Sequence, residues 1–100
     1  MKPKEFKVNN MMEFQDMVDR KDFSISKAIV ESIIRNVKSR RKNVHVLSVK
    51  CADSNTIVDI TLEKNNFVDT LKENIKYFEE KEMYEECVKI HNAIETLSKK

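Results

Sequence analysis

Apolar positions along this chain change their spacing several times, and each change marks an element. Met11, Met12, Phe14, Met17 and Val18 recur at helical spacing and predict a short amphipathic helix over residues 10–20. Ile25, Ala28, Ile29, Val30, Ile33, Ile34 and Val37 form a broad apolar stripe, with Lys27, Glu31, Arg35, Lys38 and Lys42 opposite. They predict a second helix over 24–41, capped by Ser24 and stopped at Asn43. The period then shortens to two. VHVLSVKC and TIVDITL are rich in β-branched residues and flank Ala52-Asp53-Ser54-Asn55, which has turn chemistry. A β-hairpin over 44–62 follows, with Cys51 opposite Thr56. Val49 then faces Val58, Leu47 faces Ile60 and His45 faces Leu62 on the apolar side. The other side pairs Lys50 with Ile57, Ser48 with Asp59 and Val46 with Thr61.

Residues 66–98 return to helical spacing but carry two stripes. Phe67, Val68, Leu71, Ile75 and Phe78 make one, and Met83, Cys87, Ile90, Ile94 and Leu97 the other. On one continuous helix their centres would lie roughly 140° apart, so neither would be buried well. A break near Glu80-Lys81-Glu82 turns both inward and predicts an antiparallel helical hairpin, 66–80 and 83–98, with Asn66 as cap. Residues 1–10 contain Pro3 and the segment EFKV and are expected to be a flexible arm or an edge strand. The expectation is a single α+β domain over 1–100, with N-terminal helices, a two-stranded antiparallel β-hairpin and a C-terminal helical hairpin.

Composition narrows the chemistry. The 100 residues contain no Gly, which excludes Gly-rich phosphate loops and dinucleotide fingerprints. No apolar run is long enough to span a membrane, and no signal pattern opens the chain, so a cytoplasmic protein is expected. In that compartment the two cysteines, Cys51 and Cys87, are not expected to form a disulfide. Fifteen Lys, nine Asn and many Ile suit an AT-rich genome, such as those of many bacteriophages or low-GC bacteria. Charge is unevenly spread. Residues 20–50 hold nine Lys/Arg against two Asp/Glu, whereas 63–86 hold four Lys against eight Asp/Glu.

The C-terminal segment Tyr84-Glu85-Glu86-Cys87-Val88-Lys89-Ile90-His91-Asn92-Ala93-Ile94-Glu95-Thr96-Leu97 resembles the second half of a UVR motif, the helical hairpin shared by the UvrB and UvrC excision-repair proteins. Tyr84 and Glu85 match its aromatic–Glu pair, Cys87 and Val88 stand at its small positions, and Ile90, Ile94 and Leu97 at its apolar ones. Leu71, Ile75 and Phe78 suit its first helix. His91-Asn92 replaces the usual Arg-Asp. The resemblance covers residues 67–98 and implies a protein-binding hairpin that pairs with itself or with a partner.

The leading expectation is therefore a small non-enzymatic regulator, of the kind a phage encodes, that binds a protein through Tyr84, Glu85, Lys89 and His91. Its orientation would be set by the acidic Glu79–Glu86 tip. Self-association through an open hairpin edge or the C-terminal helices is a further expectation. The alternative is a nucleic-acid-binding regulator using Arg35, Lys38, Arg40, Arg41 and Lys42, with Lys50 extending the patch and no sequence specificity. No cofactor or metal is expected. Cys87 and His91 share a helix face, but His45 and Cys51 lie six residues apart on a strand, about 20 Å, and cannot reach one ion. No nucleophile stands in a motif with either histidine, and no catalytic residue is assigned.

Overall fold

A computed structural model describes residues 4–20 and 22–99. Three strands and four helices follow in the order β1 (Lys4–Val8), α1 (Met11–Asp19), α2 (Phe23–Arg35), β2 (Asn43–Cys51), β3 (Thr56–Glu63), α3 (Phe67–Glu80) and α4 (Tyr84–Ser98). A single 3-10 turn, Lys64–Asn66, joins β3 to α3. The α+β class and the helical hairpin stand as expected. The sheet differs, having three strands in the order β1-β2-β3 and a mixed rather than purely antiparallel pairing.

The third strand comes from the N-terminal segment. β1 runs parallel to β2, with Phe6 beside Val49 and Val8 beside Cys51. Parallel pairing requires a crossover, and α1 and α2 supply it. Phe6 and Val8 are buried, whereas Lys4, Glu5 and Lys7 are exposed, the alternation of a strand covered on one face. Residues 1–3 of the expected arm, Pro3 included, lie outside the described residues.

Local chemistry explains the helix boundaries. Asn10 Oδ1 accepts from the Glu13 amide at 2.9 Å, and Glu13 accepts from the Asn9 amide at 3.1 Å, tying down the start of α1. The cap of α2 is Asp22 rather than Ser24, since Asp22 Oδ1 accepts from the Ser24 amide at 2.8 Å. The far end of α2 is six residues shorter than its expected limit of 41. Asn36 Nδ2 donates to the Ser32 carbonyl at 2.7 Å, and the Ser39 amide donates to the Asn36 carbonyl at 3.0 Å. These bonds satisfy last-turn carbonyls and fold the chain back, so Lys38 to Lys42 sit in a turn and loop. Asn66 precedes α3 without a side-chain cap bond.

The β2–β3 register is as expected from Cys51↔Thr56 to Leu47↔Ile60 and then slips. His45 pairs with Thr61, Val44 with Leu62, and Val46 has no opposite residue. This bulge turns Val46 and Leu47 both inward, 2% and 0% exposed, and moves His45 to the outer face. The expected His45–Leu62 and Val46–Thr61 pairs are thereby corrected. The buried Ser32 hydroxyl of α2 donates to the Val46 carbonyl at 2.8 Å, so a residue outside the ladder satisfies the bulge.

One sheet face carries the helices. Val44, Val46, Leu47, Val49 and Cys51 of β2 meet Ile25, Ala28, Val30 and Ile33 of α2, and Phe67, Leu71, Phe78, Cys87 and Ile90 complete the core. The helical hairpin turns through Lys81, Glu82 and Met83. The Met83 amide reaches back to the Phe78 carbonyl and the Glu82 amide to the Glu79 carbonyl, both at 3.0 Å. This is the Schellman arrangement, which places its pivot in the left-handed region. Glu82 occupies that pivot with φ 58°. Phe23 secures the turn from α2: its ring lies 4.9 Å from that of Phe78, and Lys81 Nζ sits 4.9 Å above it.

Candidate functional site: an acidic apolar stripe and a basic cleft

Residues Tyr84, Glu85, Lys89 and His91 are all exposed on α4, but they do not form one patch. Tyr84 and His91 are seven apart and share a stripe, whereas Glu85 and Lys89 lie on the next one round. Lys89 pairs with Glu86 at 3.6 Å, an ordinary surface pair between side chains of one helix. The residue that completes the Tyr84–His91 stripe is Val88, one turn after Tyr84. Tyr84 is 64% and Val88 56% exposed, a pair of large apolar side chains turned to solvent. The UVR-like pattern sets Val88 only at one of its small positions and gives it no binding role. Its signal was present, since i, i+4 spacing from an outward tyrosine places it outward too.

Carboxylates rim this stripe. A shallow groove of about 340 Å³ is lined by Glu82, Met83, Tyr84, Glu85 and Glu86. Beneath it, burial and then the carboxylates of Glu79 and Glu86 push the Cys87 thiol above its ordinary pKa. At neutral pH Cys87 is therefore a protonated core thiol, a poor nucleophile and a poor metal ligand. His91, one turn on, is exposed while Cys87 is buried. Both cysteines are free and buried, and no cluster of three or more His, Cys, Asp or Glu among the described residues could hold a metal.

The basic residues divide. Arg40, Arg41 and Lys42 line a cleft of about 350 Å³ with Asn43, Glu63, Lys64 and Asn65. Two bonds close it: the Lys64 amide donates to the Lys42 carbonyl at 2.7 Å, and Lys64 Nζ donates to the Ser39 carbonyl. Arg35 stands apart, its Nη2 donating to Ser32 Oγ at 3.3 Å, and Lys38 does not line the cleft. Lys50 is eight residues up β2, about 26 Å away, at the opposite end of the hairpin. Lys64 is the member that sequence reading missed. The slipped register continues from Asn43↔Glu63 and sets Lys64 opposite Lys42, whereas the expected register continues to Asn43 opposite Lys64. Among the described residues Lys38, Arg40, Arg41 and Lys42 form no ion pair, leaving Glu63 as the one carboxylate that lines the cleft.

The outer sheet face carries a polar cluster that the expected register obscured. His45 Nε2 lies 2.9 Å from both the Leu47 carbonyl and Ser48 Oγ, and 3.4 Å from Asp59 Oδ1. Ser48 Oγ donates to Asp59 Oδ1 at 3.0 Å. With its proton directed at Asp59, the serine can only accept from His45, the reverse of the polarity that activates a serine nucleophile. Joining β2 to β3 is what this arrangement accomplishes. No helix among the described residues is long and apolar enough to cross a membrane. Compared with known proteins, the chain matches no family model, no curated protein and no solved structure.

Proposed function

We propose that this chain is a small non-enzymatic regulator that binds another protein through the outward face of its C-terminal helical hairpin. The observation that carries this is the exposed Tyr84–Val88 pair on α4. Two large apolar side chains one turn apart cost little in a free monomer but gain on burial, and an aromatic anchor is the commonest kind of hot spot. His91 extends the stripe, while Glu82, Glu85 and Glu86 rim its start and select a partner segment that is basic around an apolar centre. The resemblance of residues 67–98 to the UVR hairpin supports the same use.

The test is capture by the full chain, with wild type compared against Tyr84→Ala/Val88→Ala and against Glu85→Ala/Lys89→Ala. All four side chains are exposed, so the fold should survive both changes. The first variant should lose the wild-type partner and the second should retain it, weakened. An unchanged set of partners in the first variant overturns the assignment.

A second reading has its own observation, the cleft in which Arg40, Arg41, Lys42 and Lys64 converge. Unpaired cations around a groove suit phosphates, and the lack of a lining aromatic points to backbone contact without base stacking. Anisotropy with labelled single- and double-stranded DNA and RNA decides it. This reading requires binding that falls steeply with salt and is lost on neutralising Arg40, Arg41 and Lys42. No binding at low salt removes it.

A further inference from the structure

The outer edge of β3 is an unused hydrogen-bonding surface. β2 occupies one side of the strand, and among the described residues no backbone or side-chain group bonds to the other. The two edges of the sheet are treated differently. β1 is five residues long and carries Lys4 and Lys7, the usual means of discouraging strand addition. β3 has eight residues and no lysine. Its mid-strand charge, Asp59, is drawn back toward β2 by Ser48 and His45, both meeting Oδ1. The helical layer also stops short of this strand. Val58, Ile60 and Leu62 face the core side but are only half-buried, whereas their neighbours Val49, Leu47 and Val44 are buried.

We propose that this edge is a homodimer interface, with β3 pairing antiparallel to β3 of a second copy about a two-fold axis at Ile60, so that two three-stranded sheets become one of six. An axis perpendicular to the sheet keeps both helical layers on one side and requires a residue to face its own copy. Three central registers meet that condition. Centring on Asp59 sets two aspartates against each other. Centring on Thr61 sets Asp59 against the partner's Glu63. Like charges directly opposite are destabilising. Centring on Ile60 avoids both: Asp59 faces the partner's Thr61, and Glu63 faces the partner's Ile57. On the core side Ile60 faces its copy, and Val58 faces the partner's Leu62, so the half-buried residues cover one another. Thr56 falls opposite the partner's Lys64, bringing the turn that carries Asp53 to the end of the strand where the basic cleft lies.

Sedimentation across micromolar to millimolar concentrations tests the dimer, and charge substitutions at Thr61 test its register. Thr61 is exposed, so its variants should fold, which circular dichroism checks. Thr61→Lys places a lysine against the partner's Asp59 twice over, with Oδ2 still free to accept, and should tighten the dimer about three- to tenfold. Thr61→Glu places acid against acid and should weaken it by a similar factor. Under the Thr61-centred register Thr61→Lys would instead weaken the dimer, which overturns the Ile60 axis. A dimer indifferent to both variants overturns the Ile60 axis, and a wild type that stays monomeric at millimolar concentration overturns the interface. Neither result bears on capture through Tyr84 and Val88, which lie on a different element.

Discussion

The molecule contains two hairpins, one of strands and one of helices, and they are specified in different ways. Both turn without glycine by placing a non-glycine residue in the left-handed region, Asn55 with φ 51° and Glu82 with φ 58°. Asparagine enters that region readily, whereas glutamate does so against the clash of its Cβ. The helical hairpin accepts that cost because its two apolar stripes leave no other way to bury Phe78, Cys87 and Ile90 together. The β-hairpin has an easier turn but a harder ladder. Its bulge at Val46 depends on Ser32, fourteen residues away on α2. One hairpin is determined by its own periodicity, the other by what packs on it.

The comparison can be broken most forcefully at Phe78. Phe78→Ala removes a ring that is 1% exposed and packed at a tilt against Phe23, and should cost about 3–5 kcal/mol in urea unfolding. A loss below that range would mean the helical hairpin holds without its anchor. Next is Ser32→Ala, which leaves the Val46 carbonyl unsatisfied and should cost about 1–3 kcal/mol. Amide exchange should then rise around Val44–Leu47 more than in α3 and α4. Uniform exchange changes would show that the bulge does not need its tertiary partner.

The turns sharpen the contrast at smaller scale. Glu82→Gly should stabilise by about 1 kcal/mol by removing the Cβ clash. Asn55→Gly should change stability by less than about 0.5 kcal/mol, since asparagine already tolerates the conformation. Equal effects would erase the distinction between the two pivots. Smallest is the alkaline response of Cys87. Its folded pKa is raised, so the fold favours the protonated thiol. That contribution is complete below the ordinary thiol pKa and is lost as pH rises through the raised folded value. Thermal scans should show the wild type losing slightly more stability at alkaline pH than Cys87→Ala, and the native thiol should alkylate slowly at neutral pH.

Much of the fold was legible because it is written at short range. The stripes of α3 and α4, the break after Glu80 and the pairing from Cys51↔Thr56 to Leu47↔Ile60 are matters of period and turn chemistry. The candidate sites were less legible. Arg40 to Lys42 read as a helix end, yet Asn36 competes for the carbonyls that α2 would need to continue. Tyr84 and His91 stand among the expected binding residues, but Val88, which joins them on the exposed stripe, does not.

By itself, then, the sequence determined which faces seek burial and where the chain can turn, because periodicity and local backbone preference are properties of neighbours. Only the tertiary structure decided which strand joins the sheet, that Val46 bulges onto Ser32, and that Lys64 meets Arg40 to Lys42. It also left β3 at the edge of the sheet, unpaired on its outer side among the described residues. Those outcomes turn on hydrogen-bonding groups that lie far apart in the chain, and their pairing is chosen by what the packed core brings within reach.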